Sequence, residues 1–227
     1  MESLSPQKTL VEQAYRTILD AICDGTFNDG ERMTQDEIAA RLNVSRQPVM
    51  SALALLKAHG FLRDAGRRGL AVAAIDPARF EAIYQLRSAV EPLAARLAAA
   101  HITAADAARG QQLVADGKRV AASGDARAIL QADVDFHCWV YAMSGNPLIA
   151  ETLQLNWHHL RRAMGEVLRQ PAISRRVWDE HGRIVAALIA GDAERAATLM
   201  HDHIVVAYQR VRAQSGPLAE ADARAAA

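Results

Sequence analysis

Residues 34–50 read Thr34-Gln35-Asp36-Glu37-Ile38-Ala39-Ala40-Arg41-Leu42-Asn43-Val44-Ser45-Arg46-Gln47-Pro48-Val49-Met50, and this stretch decides the fold. Thr34 with Glu37 three residues on is a capping box, in which each side chain satisfies a backbone N–H that a helix start leaves free. Ile38, Ala39 and Leu42 give that helix one buried side. Asn43-Val44 is a tight turn, and Ser45 stands at the cap position of the next helix, whose apolar side is Val49, Ala52, Leu53 and Leu56. Gly60 ends it. Upstream, Leu10, Ala14, Ile18 and Ile22 line a first helix that stops at Gly25, before an Asn28-Asp29-Gly30 turn. Downstream, Phe61-Leu62-Arg63 and Leu70-Ala71-Val72 read as short strands joined by Ala65-Gly66-Arg67-Arg68-Gly69. Two short helices at a tight turn, followed by a glycine-flanked hairpin, are the plan of a winged helix-turn-helix.

Charge supports a nucleic-acid partner for this stretch. The whole chain is neutral, but residues 1–40 carry a net −5 and residues 41–75 a net +5. A local cationic stretch suits double-stranded DNA, although an ordinary solvated charged face has the same composition. Arg46 at the start of the third helix can offer its fork to guanine O6 and N7. Gln47 can reach a base edge or a phosphate, and Ser45 with the free N–H groups of the first turn suits a phosphate. Arg41 adds positive charge beside them. Arg67 and Arg68 at the wing tip would meet the minor groove or the backbone.

Asp76-Pro77 is a helix start, with a capping aspartate and a proline in the first turn. It separates residues 1–75 from a second domain, 76–214. Helical periodicity there predicts about 78–100, 104–122, 126–144, 147–169, 175–190 and 193–213, with Thr103, Asp125, Asn146, Ser174 and Asp192 as caps. The expected fold class is therefore mostly α: a winged helix-turn-helix followed by an all-α antiparallel bundle of about six helices. Residues 215–227 are expected to be a frayed tail. No apolar run of about 18 residues exists to span a bilayer, and the N-terminus lacks the pattern of a secretory signal, so a soluble cytoplasmic protein is expected. Cys23 and Cys138 form no paired motif and read as small buried hydrophobes.

The second domain places ionisable groups on apolar faces. Asp133 and His137, four residues apart, share the stripe of Ile129, Ala132, Phe136 and Val140. His181 lies among Val177, Ile184, Val185 and Leu188, and His203 among Ala196, Leu199, Met200 and Ala207. His201 and Asp202 point elsewhere. Unpaired burial of four such groups is costly, and a divalent ion removes the cost. The set suits zinc first, with nickel or manganese as alternatives. A lone histidine on such a stripe is more often a hydrogen-bonded core residue; convergence from three helices is what argues for metal. Arg87 lies on the apolar side of its helix. It either pairs with Glu91 one turn on or points a guanidinium into the cavity to grip a carboxylate. Asn156, on the face of Ile149, Leu153 and Leu160, is a further candidate contact for an effector. The tryptophans Trp139, Trp157 and Trp178 read as core or interface.

The chain resembles the GntR family of bacterial regulators, in the FadR-like branch with an FCD effector domain. The resemblance rests on Gly30-Glu31-Arg32-Met33, Glu37 to Leu42, Val44-Ser45-Arg46-Gln47-Pro48-Val49 and Gly60-Phe61-Leu62. In the second domain it rests on Leu86-Arg87, Glu91-Pro92-Leu93-Ala94, Asp133 to His137, Ser144 to Leu148 and Glu180-His181. It implies metal binding through an aspartate and three histidines at the four positions above. One departure stands out. The family commonly has a second arginine where this chain has Met50, and a thioether cannot donate to guanine.

These readings lead to a ligand-responsive transcription repressor. It would be a homodimer on a two-fold DNA operator, with a small carboxylate effector beside the metal. The alternative is a metal-dependent enzyme, a hydrolase or oxygenase, which has no use for the wing. A third reading is a DNA-binding structural protein with an inert zinc site.

Overall fold

The computed structural model describes residues 9–66, 69–168 and 170–214. The chain divides after Ile75 into two compact units. The first holds α1 (Leu10–Cys23), β1 (Arg32–Met33), α2 (Gln35–Leu42), α3 (Arg46–Ala58), β2 (Leu62–Asp64) and β3 (Leu70–Val72). The capping box at Thr34 and Glu37 forms as the sequence predicts, and Asn43 ends α2 in the left-handed conformation at φ 52°. Helices α1 and α3 pack on each other and α2 packs on α3. Ile18, Leu19, Val49, Leu53, Leu56 and Phe61 are fully buried among them.

One strand escaped the sequence reading. β1 pairs antiparallel with β3, and β3 with β2, so the sheet order is β1-β3-β2. Two residues between a turn and a helix cap carry no readable alternation. Gly69 immediately precedes β3. It has φ +116°, and a β-carbon there would stand 2.9 Å from the Met33 carbonyl oxygen. The entry to β3 therefore needs glycine.

The second unit contains α4 (Pro77–Ala99), α5 (Ala104–Ser123), α6 (Ala126–Met143), α7 (Pro147–Leu168), α8 (Pro171–Ile189) and α9 (Ala193–Gln214). Helix α4 is central, lying along α9 and touching α6, α7 and α8, while α5 covers α6 and α8. From α5 onward each helix packs on the next, whereas α4 packs on α9 rather than on α5. Two expectations are corrected. Helix α8 starts at Pro171 behind Gln170, and Ser174 is buried inside it rather than capping it. A proline in the first helical turn has its missing N–H where none is needed, which makes Pro171 the better start. Cys138 is exposed and Cys23 only half-buried, so neither is a core residue. Cys138 follows His137 directly, and one step of about 100° along a helix turns it off the buried face. The expected tail, 215–227, lies outside the described residues.

Candidate functional site

The second unit brings the predicted histidines together. His137 from α6, His181 from α8 and His203 from α9 are buried, and one ring nitrogen of each lies within 4.8 Å of the other two. His181 Nε2 and His203 Nε2 are 3.2 Å apart. Two nitrogens bound tetrahedrally to one zinc would lie about 3.3 Å apart, given bonds of about 2.0–2.1 Å. Asp133 is buried and stands beside the cluster, its Oδ1 3.6 Å from His181 Nε2.

Two glutamates back this cluster. Glu180 Oε2 lies 2.8 Å from His203 Nδ1, and because an ionised carboxylate only accepts, this contact suits a ring that carries its proton on Nδ1. Glu91 Oε2 lies 2.6 Å from His137 Nδ1, although off the line of a good ring N–H bond. Carboxylates behind imidazoles are the arrangement that orients histidines toward a metal. The donor set therefore fits a divalent ion, with three imidazole nitrogens and one carboxylate at its edge. Phe136 stacks on the His181 ring at 3.8 Å between centroids, and Trp178 stands edge-on to it at 4.8 Å.

Burial controls the charges. The His181 pKa falls well below the ordinary imidazole value because the ring is buried and because His203, His137 and Arg87 surround it. His203 is also lowered by burial, against the opposing pull of its bond to Glu180. Both rings are thus kept neutral, as ligands must be. Burial pushes Glu180 up, but bonds from His203 and Arg210 outweigh it and lower the group to about 2. Burial also opposes ionisation of Glu91, yet the Arg87 guanidinium, with His137 beside it, holds the group below the usual carboxylate range.

Arg87 pairs with Glu91, and it also borders a cavity. Its Nε donates to Glu91 Oε1, its Nη2 lies 3.5 Å from His137 Nε2, and its Nη1 is buried without a hydrogen-bond partner. The guanidinium lies over the Trp157 ring at 4.5 Å. Arg87 lines this cavity with Asp133, His203 and Arg210, and Met164 and Val177 are part of its apolar wall. The cavity measures about 20 Å³, room for a single water-sized sphere, so a larger occupant must widen it. Asn156 is not in that wall; its amide donates to the Thr152 carbonyl of its own helix at 3.3 Å. The contacts of Glu180 with His203 and of Arg210 with Glu180 were not foreseen from the sequence.

In the first unit Ser45, Arg46, Gln47 and Arg41 are all exposed. Ser45 precedes α3 in extended conformation and its hydroxyl makes no capping bond. That hydroxyl is available to a phosphate. Arg46 reaches back to Asp36 at 2.5 Å, with both side chains more than half exposed. Arg41 lies over the Phe27 ring at 5.5 Å. Arg67 and Arg68 fall outside the described residues.

A winged helix-turn-helix joined to a helical bundle that holds a histidine cluster defines a DNA-binding regulator with a sensing domain. The comparisons agree. Residues 10–72 match the model of bacterial regulatory proteins of the gntR family, and residues 82–205 match the FCD domain. The chain is 26% identical over 213 residues to the HTH-type transcriptional regulator McbR of Escherichia coli (strain K12), covering 89% of this chain and 94% of that protein. It is 30% identical over 211 residues to the probable D-xylose utilization operon transcriptional repressor of Paenarthrobacter nicotinovorans, covering 91% and 90%. The solved structure of E. coli McbR/YncC superposes with a TM-score of 0.75 at 23% identity, covering 90% of this chain and 99% of that one. This chain belongs to the gntR family of bacterial regulatory proteins and carries an FCD domain. It is a transcriptional regulator, not an enzyme. No described helix is long and apolar enough to cross a membrane.

Proposed function

We propose that this regulator is a repressor whose FCD domain binds one divalent ion and one small organic acid. His137, His181 and His203 supply the nitrogens and Asp133 the fourth ligand, with zinc the first choice. The observation that carries this reading is the 3.2 Å approach of His181 Nε2 to His203 Nε2, with carboxylates on the far side of His203 and His137. The bound ion would act as a Lewis acid that attracts carboxylate oxygen. Arg87 Nη1, buried and unpartnered, is the second group offered to that carboxylate. Arg46, Gln47, Ser45, Arg41, Arg67 and Arg68 form the DNA surface, and two copies of the chain read a two-fold operator.

The effector can act only through different affinity for the DNA-competent and DNA-incompetent arrangements. The testing experiment has two stages. A thermal-shift screen of organic and sugar acids on zinc-loaded protein finds the compounds that raise its melting temperature. Those compounds are then added to the protein bound to a duplex chosen by selection from random sequence. Release of the duplex by a carboxylate is the expected result. Stabilisation with no effect on DNA binding would remove the sensing role.

A further inference from the structure

Two arginines stand in the cavity wall, and each holds a glutamate that touches a histidine. Arg87 grips Glu91, which faces His137, and Arg210 grips Glu180, which faces His203. The two arms differ in burial. Arg87 and Glu91 are 2% and 0% exposed, Arg210 and Glu180 18% and 14%. A sealed ion pair cannot part without stranding a buried charge, whereas a partly hydrated pair exchanges partners far more cheaply. Arg210 meets Glu180 at 2.6 Å to Oε1 and 3.2 Å to Oε2. That same Oε2 is the oxygen that faces His203 Nδ1. One oxygen therefore serves both the arginine and the imidazole.

We propose that Glu180 is the positioning residue that sets His203 as an Nε2 donor, and that Arg210 is the cavity-wall contact through which a bound anion strengthens metal binding. The first half rests on geometry alone; the second rests on the metal reading above. A carboxylate behind Nδ1–H makes Nε2 a better donor. Arg210 draws on the same oxygen and weakens that effect. A carboxylate entering the cavity can take the Arg210 fork and leave Oε2 to His203. The coupling is positive and reciprocal, so metal tightens the anion by the factor by which the anion tightens metal.

The test uses the full chain and zinc alone. Long-range proton–nitrogen correlation spectra of the metal-free protein read the His203 tautomer directly. The expected form is Nδ1–H; the Nε2–H form overturns the role of Glu180 whether or not metal binds. Zinc affinity is then measured by competition with a fluorescent chelator. Glu180→Gln should weaken zinc about 10–100-fold. Arg210→Gln should bind zinc as tightly as the parent or tighter, and the double variant should match Glu180→Gln, because Arg210 acts through Glu180. Equal losses in the two single variants would make Arg210 mere scaffold and sink the coupling. Unchanged zinc affinity in Glu180→Gln would sink the positioning role. A parent with no zinc affinity would refute the metal reading and the coupling with it, while the tautomer result still judges Glu180.

Discussion

Gly117 of α5 leaves the space that the Trp178 ring of α8 fills: a β-carbon at Gly117 would stand 2.2 Å from that ring. Trp178 in turn meets the His181 ring edge-on at 4.8 Å. The packing of α5 is thus tied to the placement of a candidate ligand. Gly117→Ala should cost about 1–3 kcal/mol by overpacking, read as a lower urea midpoint at unchanged slope. It should also shift tryptophan emission. Gly110 makes the same kind of slot for Trp139 and should respond alike.

Arg87 and Glu91 form a buried pair, so truncating one strands the other. Arg87→Ala should destabilise the second unit by about 3–5 kcal/mol. This makes it a poor probe of effector binding. Arg87→Lys keeps the charge but loses the fork, and should fold while binding carboxylates at least about tenfold more weakly. Calorimetric titration with a compound from the stability screen measures the second effect, and chemical denaturation the first. A fully stable Arg87→Ala would contradict the buried pair.

The depressed pKa values of His181 and His203 give stability a pH dependence. In the unfolded chain these rings take up protons near pH 6.5, whereas in the fold they stay neutral to lower pH. Between those limits the unfolded state binds more protons, so stability is full above about pH 6.5 and falls as pH drops below it. Each ring contributes a slope of up to about 1.4 kcal/mol per pH unit in that window. Glu180, lowered to about 2, loses its contribution only in stronger acid, below the ordinary range of a glutamate. Melting temperatures of metal-free protein between pH 7.5 and about pH 5 check the sign. A curve that rises toward acid would contradict the neutral-ring assignment.

Arg46 and Asp36 are exposed, so their contact adds little to stability. Arg46→Ala should therefore melt like the parent yet bind a selected duplex about 5–150-fold more weakly, the cost of about 1–3 kcal/mol for one bidentate base contact. Fluorescence anisotropy at fixed salt measures this. An unchanged affinity would mean that α3 is not the reading helix.

The sequence made some of this legible and hid the rest for physical reasons. His137, His181 and His203 were visible because a polar residue at a buried helical period is costly, and the residues around it reveal the face. Glu180 gave no such signal. It is half-buried beside His181, at an edge position where a solvated glutamate is the ordinary occupant. Glu91 was readable as the partner of Arg87 because the two are one turn apart, but its contact with His137 crosses helices. Asn156 fits an apolar face by period, yet its amide turns back to Thr152. Spacing fixes a face, not where a side-chain hydrogen bond goes.

Zinc titration of the parent and of His137→Ala, His181→Ala and His201→Ala tests the central claim most directly. Folding of each variant is confirmed by helical circular dichroism. His201 is the control, being exposed and placed beside Asp202 rather than in the cluster. The account predicts about one equivalent of zinc per chain for the parent and for His201→Ala, with most of the affinity lost in the other two. A full equivalent bound as tightly by His137→Ala and His181→Ala as by the parent would contradict it.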